Sequence, residues 1–340
     1  MSTLIKQLIT LSFILNTLFS PTLALASTAT DEDQKTVALL LWRGITDAER
    51  GFMDYLNRTG NVKFVYLDAE KDKNKLNANI KALNTIQPDL VYTFGTTVTR
   101  TLIGTEYNPT EFSLNGSTPS VFSIVTDPVG SKLVGDKNEH SRNFTGVSHI
   151  VPHTVQLKAI KQLNHVKKIG VLFNPQEDNS VITANKLHLN SFKHKMRVHL
   201  YPFSITDGKP DISSLQSNLK RMKEDNIDLV YLPPDSFVIS NSKVIVSQIH
   251  DANLMTFSAT ESPIRKNNAL LGIVSRYYNV GQFAGYKAKQ ILFDHINVKD
   301  IPIEAMSEYS YIVNMNAAKK LDYYPPVSIL KMSELIGDNQ

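Results

Sequence analysis

The 340-residue sequence contains no cysteine, only one tryptophan and little excess of charge of either sign. The absence of cysteine excludes a disulfide framework, a cysteine nucleophile and a lipid-modified cysteine. The 36 basic and 32 acidic residues give a formal net charge of +4, and no basic stripe alternates with aromatic residues. The composition therefore gives no support for nucleic-acid binding.

Motifs of several large enzyme classes are also missing. The sequence has no Gly-x-Ser-x-Gly elbow, no Gly-x-x-x-x-Gly-Lys phosphate loop and no Gly-x-Gly-x-x-Gly fingerprint. His149 and His153 are four residues apart, but Pro152 between them argues against a shared helical face. No carboxylate is placed to complete a metal site there. We therefore expect no enzymatic activity, no metal and no cofactor.

The first 26 residues have the pattern of a secretory signal peptide. Lys6 is the only charged residue before Asp31, an apolar stretch spans residues 8–19, and Ala24-Leu-Ala26 is a cleavage signal. The apolar core is too short for a comfortable membrane span, although a retained N-terminal anchor is the alternative. Cleavage after Ala26, without a cysteine for lipid attachment, predicts a periplasmic protein of a double-membraned bacterium.

The rest of the chain has ordinary globular composition, with 42% apolar and 20% charged residues. It is long enough for two packed domains. Strand-like apolar runs alternate with helical patterns throughout. This alternation predicts an α/β fold in which helices cover both faces of parallel sheets.

The segment 89–97, Asp-Leu-Val-Tyr-Thr-Phe-Gly-Thr-Thr, recurs about 140 residues later as 228–236, Asp-Leu-Val-Tyr-Leu-Pro-Pro-Asp-Ser. Each copy is typical of a buried parallel strand that ends in a polar loop. Three further segments recur in the same order: 37–42 with 169–174, 63–67 with 198–202, and 119–128 with 253–263. The shared order predicts a duplicated unit. The alternative is that any two β/α domains contain such runs.

The duplication divides the mature chain into two lobes. We assign residues 36–148 and 276–302 to an N-terminal lobe, and residues 149–275 and 303–335 to a C-terminal lobe. The chain then crosses between the lobes several times. Multiple crossings form a hinge rather than a flexible tether.

Ligands of open parallel sheets bind beyond the carboxyl ends of the strands. The repeat therefore predicts that three loops from each lobe face one cleft. These loops are 42–44, 95–97 and 126–128 from the N-terminal lobe, and 174–180, 234–236 and 260–262 from the C-terminal lobe.

Two neighbouring residues of the first loop have open interpretations. Trp42 either stacks on an apolar ligand group or packs at the end of its strand. Arg43 either holds a ligand carboxylate through paired hydrogen bonds or forms an ordinary ion pair. We include both as candidate ligand contacts.

Acidic side chains of the other loops have two possible roles. Asp127, Asp235 and Glu261 can bind a ligand ammonium group, or can cap the helix that follows each loop. Ser236 belongs to the same loop as Asp235. Tyr277 and Tyr278 follow a predicted crossing strand, and we expect Tyr277 to reach the cleft.

Four segments together resemble the periplasmic substrate-binding family of ABC transporters that includes tryptophan- and tyrosine-type binding proteins. These segments are 126–130, 143–148, 170–180 and 232–236. The resemblance extends over about 36–335. It implies a type I periplasmic-binding-protein fold with two Rossmann-like lobes, three crossings and a closing cleft. It also implies no catalysis, a permease partner in the inner membrane and a monomer.

The resemblance implies ligand contacts at Thr96 or Thr97, Asp127, Asn179, Ser180, Asp235 and Glu261. This chain has Pro-Asp-Ser at 234–236 where the family usually has Thr-Asp-Asn, and the family's first loop is usually longer and lacks the Trp42–Arg43 pair. We expect capture of a small polar ligand, such as an aromatic or another amino acid, for delivery to the permease. The alternative is a sensing module that signals to a membrane receptor, and neighbouring genes would distinguish the two.

Overall fold

The computed structural model describes residues 34–116, 118–135, 141–163 and 165–337. The predicted signal peptide and its cleavage site lie outside these residues. Within the described ranges, no helix combines the length and apolar character that a membrane crossing requires.

Strands and helices alternate along the described chain. The strands are β1 Lys35–Leu41, β2 Val62–Asp68, β3 Leu90–Phe94, β4 Ser120–Val125, β5 Phe144–Ser148, β6 Lys168–Phe173, β7 Arg197–Pro202, β8 Ser204–Thr206, β9 Lys209–Asp211, β10 Leu229–Leu232, β11 Met255–Ser258, β12 Leu271–Val274, β13 Glu304–Ala305, β14 Ser310–Asn314 and β15 Ser333–Ile336. The helices are α1 Asp47–Asn57, α2 Lys73–Ile86, α3 Gly95–Ile103, α4 Glu111–Asn115, α5 His153–Lys161, α6 Asp178–Ser191, α7 Leu215–Glu224, α8 Ser236–Ser240, α9 Ser242–Asp251, α10 Glu261–Asn267, α11 Tyr277–Leu292, α12 Met315–Lys320 and α13 Val327–Met332.

Two large sheets organise these elements. The first has the strand order β13-β5-β4-β3-β1-β2, and all its neighbouring strands are parallel. The second has the order β15-β14-β12-β11-β10-β6-β7, in which only β12 and β14 pair antiparallel. We call each sheet with the helices packed on it a lobe, the first and the second. The α/β fold with two Rossmann-like lobes is confirmed.

The strand order is the same in the two lobes. The order β5-β4-β3-β1-β2 of the first sheet corresponds to β12-β11-β10-β6-β7 of the second. The repeated Asp-Leu-Val-Tyr segments form β3 and β10, which occupy equivalent central positions. The duplication that the sequence predicts is therefore present in the topology.

The central strands are buried on both faces, which explains their continuous apolar runs. In β10, Leu229 and Tyr231 belong to one apolar cluster, whereas Val230 and Leu232 belong to the cluster on the opposite face. Successive side chains of a strand point to opposite faces, so each face is covered by a separate layer of helices. The carboxyl ends of these strands remain free to build a site.

The chain passes between the sheets three times: after β5, after β12 and after β13. The predicted boundary at 302/303 needs a small correction, because β13 pairs with β5 in the first sheet. Ile303 also packs in the apolar cluster of that lobe. The last crossing therefore follows Ala305.

Helices α1 and α11 of the first lobe pack at very close range. A methyl group at Gly281 would lie 1.9 Å from the carbonyl oxygen of Ala48, and one at Gly51 would lie 2.1 Å from that of Tyr278. Only glycine allows this approach of two backbones. The packing positions the start of α11 beside the loop that precedes α1, and both segments contribute to the site described next.

Candidate functional site

A cavity lies between the lobes at the carboxyl ends of the central strands. Five of the six predicted loops contribute to its wall, and its volume is about 30 Å³. The lining residues are Trp42, Arg43, Phe94, Gly95, Thr96, Thr97, Ile124, Thr126, His149, Glu177, Asn179, Pro234, Asp235, Ser236, Ile239 and Tyr277. The predicted candidates Trp42, Arg43, Thr96, Thr97, Asn179, Asp235, Ser236 and Tyr277 are therefore brought together.

The wall contributed by the first lobe contains three aromatic side chains, Trp42, Phe94 and Tyr277. Trp42 is 8% exposed, so it is both packed at the end of β1 and part of the cavity wall. The ring centroids of Phe94 and Tyr277 are 6.5 Å apart in an edge-to-face arrangement. Such rings offer apolar surface with defined geometry to an aromatic or aliphatic ligand group.

Arg43 lies over this aromatic wall. Its guanidinium carbon is 5.2 Å from the centroid of the Phe94 ring, within the range of a cation–π interaction. Burial raises the pKa of Tyr277 to about 12, and the positive charge of Arg43 partly offsets that effect. Arg43 is thus held in the wall by aromatic neighbours.

The wall contributed by the second lobe carries two buried carboxylates. Asp235 accepts hydrogen bonds from the backbone N–H of Asn174 at 2.6 Å and of Val238 at 2.9 Å, and also from the hydroxyl of Ser180. Glu177 accepts from the backbone N–H of Ser236 at 2.9 Å. These bonds tie the loops after β6 and β10 into one rigid unit.

Burial and a neighbouring negative charge change the acidity of Asp235. Its side chain is completely buried. Burial, followed by the negative charge of Glu177, raises the pKa of Asp235 to about 7. A cation placed between the two carboxylates would relieve their repulsion.

A second cavity of about 160 Å³ adjoins the first and shares Arg43, Ile239 and Tyr277 with it. The sixth predicted loop lies here, and Glu261 lines this cavity. Glu261 accepts hydrogen bonds from the backbone N–H of Tyr277 and from Arg265, both at 2.9 Å. It therefore fixes the start of α11 relative to the second lobe.

Two predicted contacts, Asp127 and Ser180, are not among the residues that line either cavity. Asp127 accepts a hydrogen bond from the backbone N–H of Gly130 at 2.7 Å and forms an ion pair with Lys186. Ser180 is fully buried behind Asp235. Both residues support the site from outside the wall.

Sequence reasoning did not assign His149 and Glu177 to the site. His149 directly follows β5, so the rule that selected the other loops also applies to it. The predicted loop 174–180 includes Glu177. Within the described ranges, no group of three or more histidine, aspartate or glutamate side chains is arranged to hold a metal ion.

Tyr277 and Tyr278 point in different directions at the start of α11. Tyr277 is buried in the cavity wall. The hydroxyl of Tyr278 instead donates a hydrogen bond to Asp54 of α1 at 2.9 Å. This bond adds to the glycine-mediated packing between α11 and α1.

Comparison with known proteins gives consistent matches over most of the chain. The family model described as ABC transporter substrate binding protein matches residues 41–335. A tyrosine-binding protein of Clostridioides difficile is 28% identical over 299 residues, which cover 86% of this chain and 79% of that protein.

Solved structures of similar fold include an ABC domain in complex with L-Trp from Streptococcus pneumoniae. It is 24% identical with a TM-score of 0.75, covering 88% of this chain and 99% of that one. A ligand-free, open substrate-binding protein with adhesive properties from Clostridium difficile is 21% identical with a TM-score of 0.65, covering 90% of this chain and all of that one. These likenesses support the two-lobed fold.

Proposed function

Because this chain belongs to the ABC transporter substrate binding protein family, we propose that it captures an amino acid with an aromatic side chain between its lobes. It then delivers this ligand to a permease in the inner membrane. The observation that carries the proposal is the inter-lobe cavity, in which an aromatic wall from one lobe faces hydrogen-bonding carboxylates from the other. The ligands named for the tyrosine-binding relative and the L-Trp complex support the same class.

Ligand capture on this scaffold requires a movement of the lobes. The cavity volume of about 30 Å³ is far below that of pockets that hold small molecules, roughly 300–1,000 Å³. An amino acid therefore enters when the lobes move apart, and the lobes then close around it. Its binding free energy then stabilises the closed arrangement over the open one.

The proposed location is the periplasm, which is where a substrate-binding protein meets both its ligand and its permease. The signal-peptide pattern of residues 1–26 supports this location. A role without catalysis is supported by family membership and by the absence of a nucleophile–base motif from the sequence.

Isothermal titration calorimetry against the twenty amino acids tests the proposed function. The protein should first be unfolded and refolded to remove any ligand carried through purification. We expect saturable binding of tyrosine, tryptophan or phenylalanine, and weak or no binding of aspartate and lysine. Absence of heat and of thermal stabilisation with every aromatic amino acid would contradict the proposal.

A further inference from the structure

Charged groups of opposite sign lie on opposite sides of the cavity. Arg43 belongs to the first lobe, whereas Glu177 and Asp235 belong to the second. Among the ion pairs of the described residues, none includes Arg43. The cavity therefore has a positive and a negative end, and no carboxylate of the described residues forms an ion pair with Arg43 at the positive end.

His149 lies at the same end as Arg43. It is 2% exposed and lines the cavity, and its ring packs edge-on against Tyr277 with centroids 5.5 Å apart. Neither ring nitrogen makes a hydrogen bond of normal geometry with the described residues, although the backbone of Val125 lies close enough to favour the protonated ring. A buried polar group without a partner is costly, and a ligand acceptor group would satisfy it.

The carboxylates at the other end retain capacity for a ligand donor. A carboxylate can accept about four hydrogen bonds. Glu177 accepts from the backbone N–H of Ser236 and of Phe237, at 2.9 and 3.2 Å, and only a long contact of 3.4 Å from the side chain of Asn174. One strong bond from a cationic donor can therefore be added.

We propose that the cavity binds an amino acid in one orientation, with its carboxylate at Arg43 and His149 and its ammonium group at Glu177. This inference rests on the proposed function and adds to it the direction in which the ligand lies. Asp235 supports the ammonium end through its charge and holds the Glu177 loop in place. Because the two charges of one ligand are bound by different lobes, a ligand with both charges favours closure more than a ligand with only one.

The unmodified protein provides the first test, by calorimetry with matched ligands. L-tyrosine is compared with tyramine, which lacks the carboxylate, and with 3-(4-hydroxyphenyl)propanoate, which lacks the ammonium group. L-tryptophan is compared in the same way with tryptamine and 3-indolepropanoate. We expect each truncated ligand to bind at least roughly 30-fold more weakly than the amino acid, because each leaves a charged group of the cavity wall unpaired.

Variants then assign each end of the ligand to its residue. Arg43→Met keeps an unbranched apolar stem against Phe94 and removes the charge. We expect it to weaken binding of the amino acid by roughly 30-fold or more and to leave binding of the amine within about 3-fold. Glu177→Gln should show the reverse pattern: binding of the amine should weaken, whereas binding of the propanoate should stay the same. His149→Phe should weaken binding of the amino acid and of the propanoate but leave binding of the amine unchanged.

The outcomes separate the inference from the proposed function. If tyramine or tryptamine binds as tightly as its amino acid, or if Arg43→Met weakens amine and amino acid equally, the proposed orientation is wrong and the proposed function stands. If none of the aromatic amino acids, amines and propanoates binds the unmodified protein, the proposed function fails and the orientation fails with it.

Discussion

Lys186 on helix α6 of the second lobe forms an ion pair with Asp127, which follows β4 of the first lobe. Arg100 of α3 pairs in the same way with Asp178, the first residue of α6. Both pairs join the lobes beside the loops that line the cavity. They exist only while the lobes are close together, so they favour closure with or without a ligand.

Removing both ion pairs should weaken ligand binding moderately. The pairs are partly exposed, and such pairs contribute about 0.2–1 kcal/mol each. We therefore expect the double variant Lys186→Met, Arg100→Met to bind its aromatic amino acid about 3- to 10-fold more weakly in calorimetry. Lys75→Met, which removes an exposed pair with Glu70 inside the first lobe, is the control and should bind normally. Equal affinities of the double variant and the control would show that the inter-lobe pairs do not favour closure.

The close packing of α1 and α11 predicts a sensitive position outside the cavity wall. Gly281→Ala forces the helices apart, because its methyl group would lie 1.9 Å from the carbonyl oxygen of Ala48. Overpacking of this kind costs about 1–3 kcal/mol of unfolding free energy. Binding should weaken as well, since Arg43 and Tyr277 lie next to the two helix starts.

Urea unfolding and calorimetry measure both effects of Gly281→Ala. Gly208→Asn is a suitable control, because nothing lies within 4 Å of that glycine and asparagine tolerates its positive φ of 72°. A Gly281→Ala protein as stable as the control would mean that the helices shift apart without cost.

The raised pKa of Asp235 predicts that ligand binding releases protons. Asp235 is partly protonated near its pKa of about 7, chiefly because it is buried and because Glu177 adds a negative charge. The groups that face it are Glu177, Ser180 and the backbone N–H of Asn174 and Val238. A ligand ammonium group favours the ionised form, so binding lowers this pKa and affinity rises as pH increases through 7.

Calorimetry at pH 6.5 in two buffers of different ionisation enthalpy measures this proton release. The apparent binding enthalpy should differ between phosphate and imidazole buffers, by an amount proportional to the protons released. Asp235→Asn should abolish most of the difference. Identical enthalpies in the two buffers for the unmodified protein would contradict the expectation.

The lowered pKa of His250 predicts that the protein loses stability in acid, independently of the ligand site. Its pKa is lowered to about 4, first by burial and then by Lys320, with Asp251 acting in the opposite direction. A histidine with a lowered pKa in the folded state stabilises the protein above pH 6.5, and this contribution is lost as pH falls from 6.5 toward 4. The lowered pKa of His250 corresponds to at most about 3 kcal/mol of unfolding free energy.

Urea unfolding of unmodified protein and His250→Gln at pH 7 and pH 4.5 tests this assignment. Glutamine keeps a polar group near the hydroxyl of Thr256, which is 3.0 Å from Nε2 of His250. The variant should be less stable than the unmodified protein at pH 7 and lose less stability on acidification. A parallel loss in both proteins would remove His250 as a cause.

The fold could be predicted from the sequence because buried parallel strands appear as short continuous apolar runs. The run Asp-Leu-Val-Tyr at 89–92 and 228–231 marks β3 and β10, and its neighbours recur in the same order. Since ligands bind at the carboxyl ends of such strands, the same repeat located the loops that line the two cavities. Strand periodicity thus predicted both the scaffold and the location of the candidate site.

Side-chain partners were harder to predict from the sequence, because they depend on contacts between segments that are far apart in the chain. Nothing in the sequence near Asp127 indicates that Lys186 is its partner across the lobes. Arg43 contacts Phe94, which ends a different strand. In the sequence, His149 was considered only for a metal site, because of its spacing from His153. Its position directly after β5 is the feature that places it at the cavity.

The most direct test of ligand capture between the lobes is a crystal structure of the protein with the aromatic amino acid that binds most tightly. We predict a closed cleft with the ligand between the lobes, its carboxylate within hydrogen-bond distance of Arg43 and its ammonium group at Glu177. Density for the ligand at a site outside the cleft, or an amino acid that contacts only one lobe, would contradict it.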